Sequence, residues 1–210
     1  MKKLITFSMF ILLNNNLNVF GQCFTSISAS HSNVAARKDN GSFWVWGNGV
    51  VGQIGNGQEQ DVFSPLNVTN LTDWKKIICG RYNTFAIKNN NTLWATGGNL
   101  HGGLGLGSST ILGVTTFTQI GTATNWKEVV SNSLHTLAIK TDGTIWGTGQ
   151  NDMYQMGNGT CCANQLSFMQ IGTATDWKAV ATSETRASFA LKTNGTLWAW
   201  GGNINYLLGD

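Results

Sequence analysis

The sequence predicts an all-β fold, a β-propeller whose blades are about 51 residues long, with three to four blades present. Three observations predict it. The first is composition. Among 210 residues there are 26 glycines, 9 tryptophans and 1 proline, and 11% of residues are charged. Glycine, asparagine and threonine are weak helix formers, which argues against a helical bundle. Aromatic richness with little charge excludes a disordered chain, and the lack of a Gly-X-Y period excludes collagen. The second is a motif headed by Trp44, Trp94, Trp146 and Trp198, recurring at intervals of 50, 52 and 52 residues. The third is a pair of further series in the same phase. One is Asp73-Trp74-Lys75, Asn125-Trp126-Lys127 and Asp176-Trp177-Lys178. The other is Phe85-Ala86-Ile87-Lys88, Leu137-Ala138-Ile139-Lys140 and Phe189-Ala190-Leu191-Lys192. A unit of this length with several strands buries both faces only by stacking on its neighbours, which is the logic of a propeller blade.

In chain order the first element is a leader. Met1-Lys2-Lys3 is basic, the next ten residues are strongly apolar, and Val19 and Gly21 suit the −3 and −1 places of a cleavage site. Residues 1–21 read as a signal peptide for bacterial-type export to the medium or the cell surface, cleaved after Gly21. The apolar stretch is shorter than the about 18 residues a spanning helix needs, so no membrane span is expected after its removal. Losing Lys2 and Lys3 takes the 13 basic residues to 11, against 10 acidic ones. With near-neutral charge and no basic run, nucleic-acid binding has no support.

Residues 22–210 read as tandem propeller repeats, with units near 24–74, 75–126, 127–177 and 178–210. Within one unit, residues 126–130, 136–140 and 144–148 read as strands, with a turn at Asp142-Gly143. Asn40-Gly41, Asp142-Gly143 and Asn194-Gly195 supply the positive φ angles of tight hairpins. Asn90-Asn91 replaces the pair in one unit, because asparagine tolerates left-handed geometry. Strands such as 85–87 are apolar on both faces, as suits a sheet held between neighbours. The segments 58–70, 108–119 and 160–170 vary between units, and so do 80–83, 132–135 and 183–186. Repeat scaffolds place recognition on such varying loops. Arg81, Tyr82, Glu184 and Arg186 are the candidate partner-binding residues, being of types useful at interfaces.

Residues 46–57, Trp-Gly-Asn-Gly-Val-Val-Gly-Gln-Ile-Gly-Asn-Gly, recur in related form at 97–107 and 149–159, and the motif begins again at Gly201. This segment resembles the regulator of chromosome condensation repeat. The resemblance implies a closed seven-bladed propeller, and 22–210 holds fewer than four blades of that size. An open arc is therefore expected. The last motif halts at Asp210, so the chain reads as a fragment of a longer protein, with self-association of short chains into a ring as the alternative. The resemblance also implies a non-enzymatic class. Relatives act in nucleotide exchange on a small GTPase and on chromatin, and a secreted relative inhibits β-lactamase. Only the framework motif matches, so neither activity carries over.

No catalytic residue, cofactor or metal site is expected. Residues 47–52 spell a dinucleotide fingerprint, but the helix it requires is opposed by Gly55 and Gly57. His31, His101 and His135 have no ligand spacing, and no nucleophile elbow or Walker loop is present. Cys23, Cys79, Cys161 and Cys162 contain no Cys-x-x-Cys and allow three pairings. The adjacent Cys161 and Cys162 read as two thiols or one ordinary bridge in a loop, in preference to a closed vicinal ring. The phased tryptophans read as packing and not as a sugar-binding ladder. The expected function is that of an exported, non-enzymatic recognition or scaffold protein with a protein partner. The alternative is a carbohydrate-binding module or an exported enzyme using the propeller face.

Overall fold

Short strands joined by tight turns pair first with their sequence neighbours, and the computed structural model shows this in every repeat. It describes residues 24–68, 72–132 and 134–209. The leader, its cleavage site and Cys23 lie outside the described residues. The first sheet holds β1 (Phe24–Ala29), β2 (Asn33–Lys38), β3 (Phe43–Gly47) and β4 (Val62–Asn67). The second holds β5 (Trp74–Cys79), β6 (Asn83–Lys88), β7 (Leu93–Gly98) and β8 (Gly113–Gln119). The third holds β9 (Trp126–Ser131), β10 (His135–Lys140), β11 (Ile145–Gly149) and β12 (Gln165–Gln170). The fourth, among the described residues, has three strands: β13 (Trp177–Thr182), β14 (Ala187–Lys192) and β15 (Leu197–Gly201). Each sheet is an antiparallel meander in sequence order, the form of a propeller blade. β5 packs against β1 and β9, and β9 against β13, so the first strands gather on the inner side of the arc.

Three details differ from the sequence reading. The variable segments 58–70, 108–119 and 160–170 are not loops throughout, because each contains the outer strand of its blade (β4, β8 and β12). In the hairpins after the second strands, only the glycine is left-handed, with φ of 82° at Gly41, 79° at Gly143 and 87° at Gly195. Asn91 takes that place with φ 58°. The preceding Asn or Asp acts through its side chain instead. Asp142 Oδ1 accepts from the Thr144 amide (3.0 Å) and hydroxyl (2.6 Å), and Thr144 Oγ1 accepts from the Trp146 indole at 2.8 Å. Asn40-Ser42-Trp44 and Asn90-Thr92-Trp94 repeat this relay. Third, Cys161 and Cys162 are disulfide-bonded to each other, which corrects the reading of that pair as thiols or an ordinary bridge. Cys79 is buried, and burial pushes its thiol up to about 12.

The phased tryptophans and lysines form one module per blade. Trp74 stacks on Phe43 of the preceding blade (5.6 Å) and meets Trp94 edge-on (5.9 Å). The Lys88 ammonium lies 4.7 Å from the Trp74 ring and 4.4 Å from Trp94. Lys140 sits likewise between Trp126 and Trp146, and Lys192 between Trp177 and Trp198. Asp73 pairs with Lys88 at 3.2 Å and Asp176 with Lys192 at 3.1 Å. Asn125 holds that position in the third blade, and burial lowers the Lys140 pKa there. Such cation–π contacts explain why a chain with so few charges repeats a lysine.

The glycine-rich motif joins the blades. Thr84 Oγ1 of the second blade donates to the Gln53 carbonyl of the first at 2.7 Å. Thr136 donates to the Gly103 carbonyl at 2.8 Å, and Ser188 to the Gln155 carbonyl at 3.0 Å. Thr96 and Thr148 repeat the pattern from the third strands, to Gly52 and Gly102. Gly55 lies so close to the Phe117 ring that a Cβ would stand 2.7 Å from it. Gly105 meets Phe168 in the same way. These glycines let one blade's loop lie flat on the next blade.

Candidate protein-recognition face

Because successive strands reverse direction, the turn after each first strand and the turn after each third strand emerge at the same end of a blade. Backbone bonds tie the two turns together in all four blades. Asn48 N donates to Ser32 O (2.8 Å), Gly98 N to Tyr82 O (2.7 Å), Gln150 N to Leu134 O (2.8 Å) and Gly202 N to Arg186 O (3.0 Å). The turns after the first strands and those after the third strands thereby share one rim of the arc, and the uniform Asn-Gly-type hairpins occupy the other.

Arg81 and Tyr82 lie on the turn between β5 and β6, half-buried, with the Arg81 guanidinium carbon 5.0 Å from the Tyr82 ring centre. Arg81 Nε is enclosed without a hydrogen-bond partner. Glu184 and Arg186 lie two blades away, between β13 and β14, and Glu184 is exposed. Arg186 does not stand free. It adopts φ 69° and pairs with Asp152 of the third blade at 2.9 Å. Asp152 also accepts from the side-chain amides of Gln150 (3.1 Å) and Gln155 (2.8 Å). The four candidates therefore share a face as two separated pairs, and Arg186 also fastens the third blade to the fourth.

The same rim carries apolar residues that the sequence did not single out. Leu112 is 81% exposed and Tyr154 53%, and Val50, Leu100, Ile111 and Met153 are exposed as well. They sit on the turns after the third strands. A cleft of about 580 Å³ opens between the turns of the first two blades, lined by Val50, Val51, Glu59, Ile111 and Leu112 among others. The Cys161–Cys162 disulfide lies on the corresponding turn of the third blade, where Cys162 N donates to Asn151 O at 2.8 Å. For Val50, Leu100, Met153 and Tyr154 the signal lay inside the repeat motif, at positions between its glycines, and was hidden by reading the motif as pure framework, whereas Ile111 and Leu112 lie in the varying segment 108–119.

Beneath the rim His135 is fully buried. Asn132 Nδ2 lies 3.2 Å from its Nδ1, and its Nε2 lies 2.9 Å from Ser188 Oγ, which itself donates to Gln155 O. These contacts define a neutral ring that accepts at Nδ1 and donates at Nε2. Burial lowers its pKa to about 4. Among the described residues no group of three or more His, Cys, Asp or Glu is placed to hold a metal ion. No helix among them is long and apolar enough to cross a membrane. The face offers cations, an aromatic ring, amides and apolar side chains, which is the chemistry of macromolecular contact.

Two stretches, residues 40–87 and 126–155, match the Regulator of chromosome condensation (RCC1) repeat. The chain is 28% identical to the ultraviolet-B receptor UVR8 of Arabidopsis thaliana over 195 residues, 87% of this chain and 42% of that protein. It is 29% identical to the human E3 ubiquitin-protein ligase HERC2 over 135 residues, 62% of this chain and 3% of the ligase. Among solved structures it is similar to yeast RCC1 (Prp20) bound to Kap60, with a TM-score of 0.79 at 20% identity, covering 90% of this chain and 46% of Prp20. The chain thus spans under half the length of these relatives.

Proposed function

We infer, from the premise that this chain belongs to the regulator of chromosome condensation repeat family, that it is a non-enzymatic recognition protein that binds a protein partner through the rim carrying Arg81, Tyr82 and Glu184. The observation that carries the reading is the division of labour between the two rims. Hairpins of one design close the far rim, while the near rim holds the turns after the first and third strands, which vary between blades, and most of the exposed apolar side chains. Repeat scaffolds that bind other proteins are built in this way. Prp20, whose fold this chain shares, was solved bound to Kap60 and studied for binding to Gsp1p and histones. The likeness to HERC2 covers 3% of that ligase and lends no support to ligase chemistry. Export directed by residues 1–21 is part of the proposal, and a mature protein beginning at Gln22 when recovered from producing cells is its direct test.

The binding test is a paired capture from the producing cells. Bait with Arg81→Glu and Tyr82→Ala is compared with unaltered bait and with bait carrying Thr193→Glu and Thr196→Glu on the far rim. A partner retained by the far-rim variant and lost by the near-rim variant, with circular dichroism unchanged in all three, is the expected result. A partner lost only with the far-rim changes would overturn the reading. Saturable binding of a free glycan in isothermal titration would favour the carbohydrate-binding alternative.

A further inference from the structure

At the seam between the second and third blades the lysine module lacks a partner, and a cavity opens beside it. In the second and fourth blades the lysine between the two indoles is paired with a carboxylate, Lys88 with Asp73 at 3.2 Å and Lys192 with Asp176 at 3.1 Å. In the third blade Asn125 stands where those aspartates stand, and among the described residues Lys140 forms no ion pair. Its ammonium lies 3.5 Å from the Trp146 ring centre and 4.9 Å from that of Trp126. Asp142 on the adjoining turn is engaged elsewhere, its Oδ1 accepting from the Thr144 amide and hydroxyl. Burial disfavours the lysine's charge, and Asp142 offsets this in part, from beyond ion-pair distance.

A second polar group of the same module is unsatisfied. Trp126 is 3% exposed, and its indole N–H has no acceptor. An enclosed donor of this kind is costly until something supplies an acceptor. Trp177 has the same open N–H, but there Asp176 already neutralises the lysine. Lys140 and Trp126 both border a cavity of about 360 Å³ between the blades. Leu106, Ile120 and Ala123 wall it on one side, Trp146 and Phe168 on the other. At Gly121, also in the lining, a Cβ would meet nothing within 4 Å, so the cavity is open there. Both flanking sheets have four strands, so these are the walls of an interior seam. The volume is that of a small-molecule site.

We propose that this cavity binds a small arylalkyl carboxylate. The ligand supplies the charge that Asp73 and Asp176 supply in the other two blades. One carboxylate oxygen accepts from the Lys140 ammonium and the other from the Trp126 indole N–H, and the aryl group lies against Phe168, Leu106 and Ile120. One ammonium and one neutral N–H match the two oxygens of a carboxylate. Among the described residues that line the cavity Lys140 is the one charged group, so a monoanion is matched better than a phosphate. The ring faces and aliphatic side chains favour a flat apolar body. The site lies beside the Asn-Gly-type hairpins, away from the rim assigned to the protein partner, so the two readings stand or fall separately.

The test is isothermal titration of the full chain with 3-phenylpropionate, with the neutral 3-phenylpropionamide as control. Saturable one-to-one binding of the acid is expected, and binding about tenfold or more weaker for the amide. Lys140→Met keeps an apolar stem over the indoles and is expected to bring the acid down to the level of the amide. Asn125→Asp gives Lys140 an internal carboxylate. It is expected to weaken the acid about tenfold and leave the amide unchanged, which separates lost charge from lost structure. The Trp126 indole N–H resonance is expected to move as the acid is added. No saturable binding at millimolar concentration, equal binding of acid and amide, undiminished binding to Asn125→Asp, or a Trp126 resonance that stays in place would overturn the proposal.

Discussion

In the third blade a histidine stands where the first two have Asn33 and Asn83, and burial holds it neutral with a pKa of about 4. In the unfolded chain an imidazole titrates near 6.5. The folded value is the lower one, so the unfolded state binds the extra proton. The resulting stability is fully present above pH 6.5 and is lost as pH falls towards 4, by about 3 kcal/mol in all. A protonated ring would also turn an N–H toward the Asn132 amide that now donates to it. His135→Asn is expected to flatten this pH dependence in urea unfolding between pH 4 and 7, at a cost of about 1 kcal/mol at neutral pH from the altered bonds. That His135 is satisfied within the fold was readable from its isolation in the sequence. That it links two blades was not, because Ser188 lies 53 residues away.

The hairpins show why some elements were legible and others not. Their strands and turns were, because an Asx residue, a left-handed glycine (Asn91 in the second blade) and a Thr or Ser sit in fixed order before each Trp, and all the contacts are local. The outer strands β4, β8 and β12 were not. Each is anchored by one neighbouring strand, and β8 and β12 also by the preceding blade's glycines, so what specifies them lies far off in the chain. The repeat also identifies its own gap: the third blade has Asn125 where Asp73 and Asp176 pair with their lysines. Asn125→Asp is expected to place a carboxylate beside Lys140 and raise stability by a few tenths of a kcal/mol. Thermal unfolding at low and high salt checks this, and the gain should shrink with salt.

Across the whole molecule the seams are the unit of stability. Gly105→Ala would drive a methyl to 2.8 Å from the Phe168 ring at a residue with φ +76°, whereas Gly159→Ala, at φ +77°, meets nothing within 4 Å. The second substitution is expected to cost about 1 kcal/mol of backbone strain. The first should cost about 1–3 kcal/mol more, as crowding is added, and denaturant midpoints of the pair separate the two effects. Much of the candidate face was legible as a set of varying segments. The ion pair from Arg186 to Asp152 was not, because only the stacking of blades brings the two together.

The hydroxyl donors all point backwards, from each blade to the loop of the blade before it. The array consequently has a direction, like a row of overlapping roof tiles, and among the described blades the second and third are held on both sides. Native-state hydrogen exchange should record this as a gradient along the chain. Amides of β6 and β10 are expected to open only with the whole molecule, and those of β1 and β14 sooner, at a fraction of the unfolding free energy. Equal protection in all four sheets would mean that the arc opens in one step and that its seams are too strong to let a single blade go.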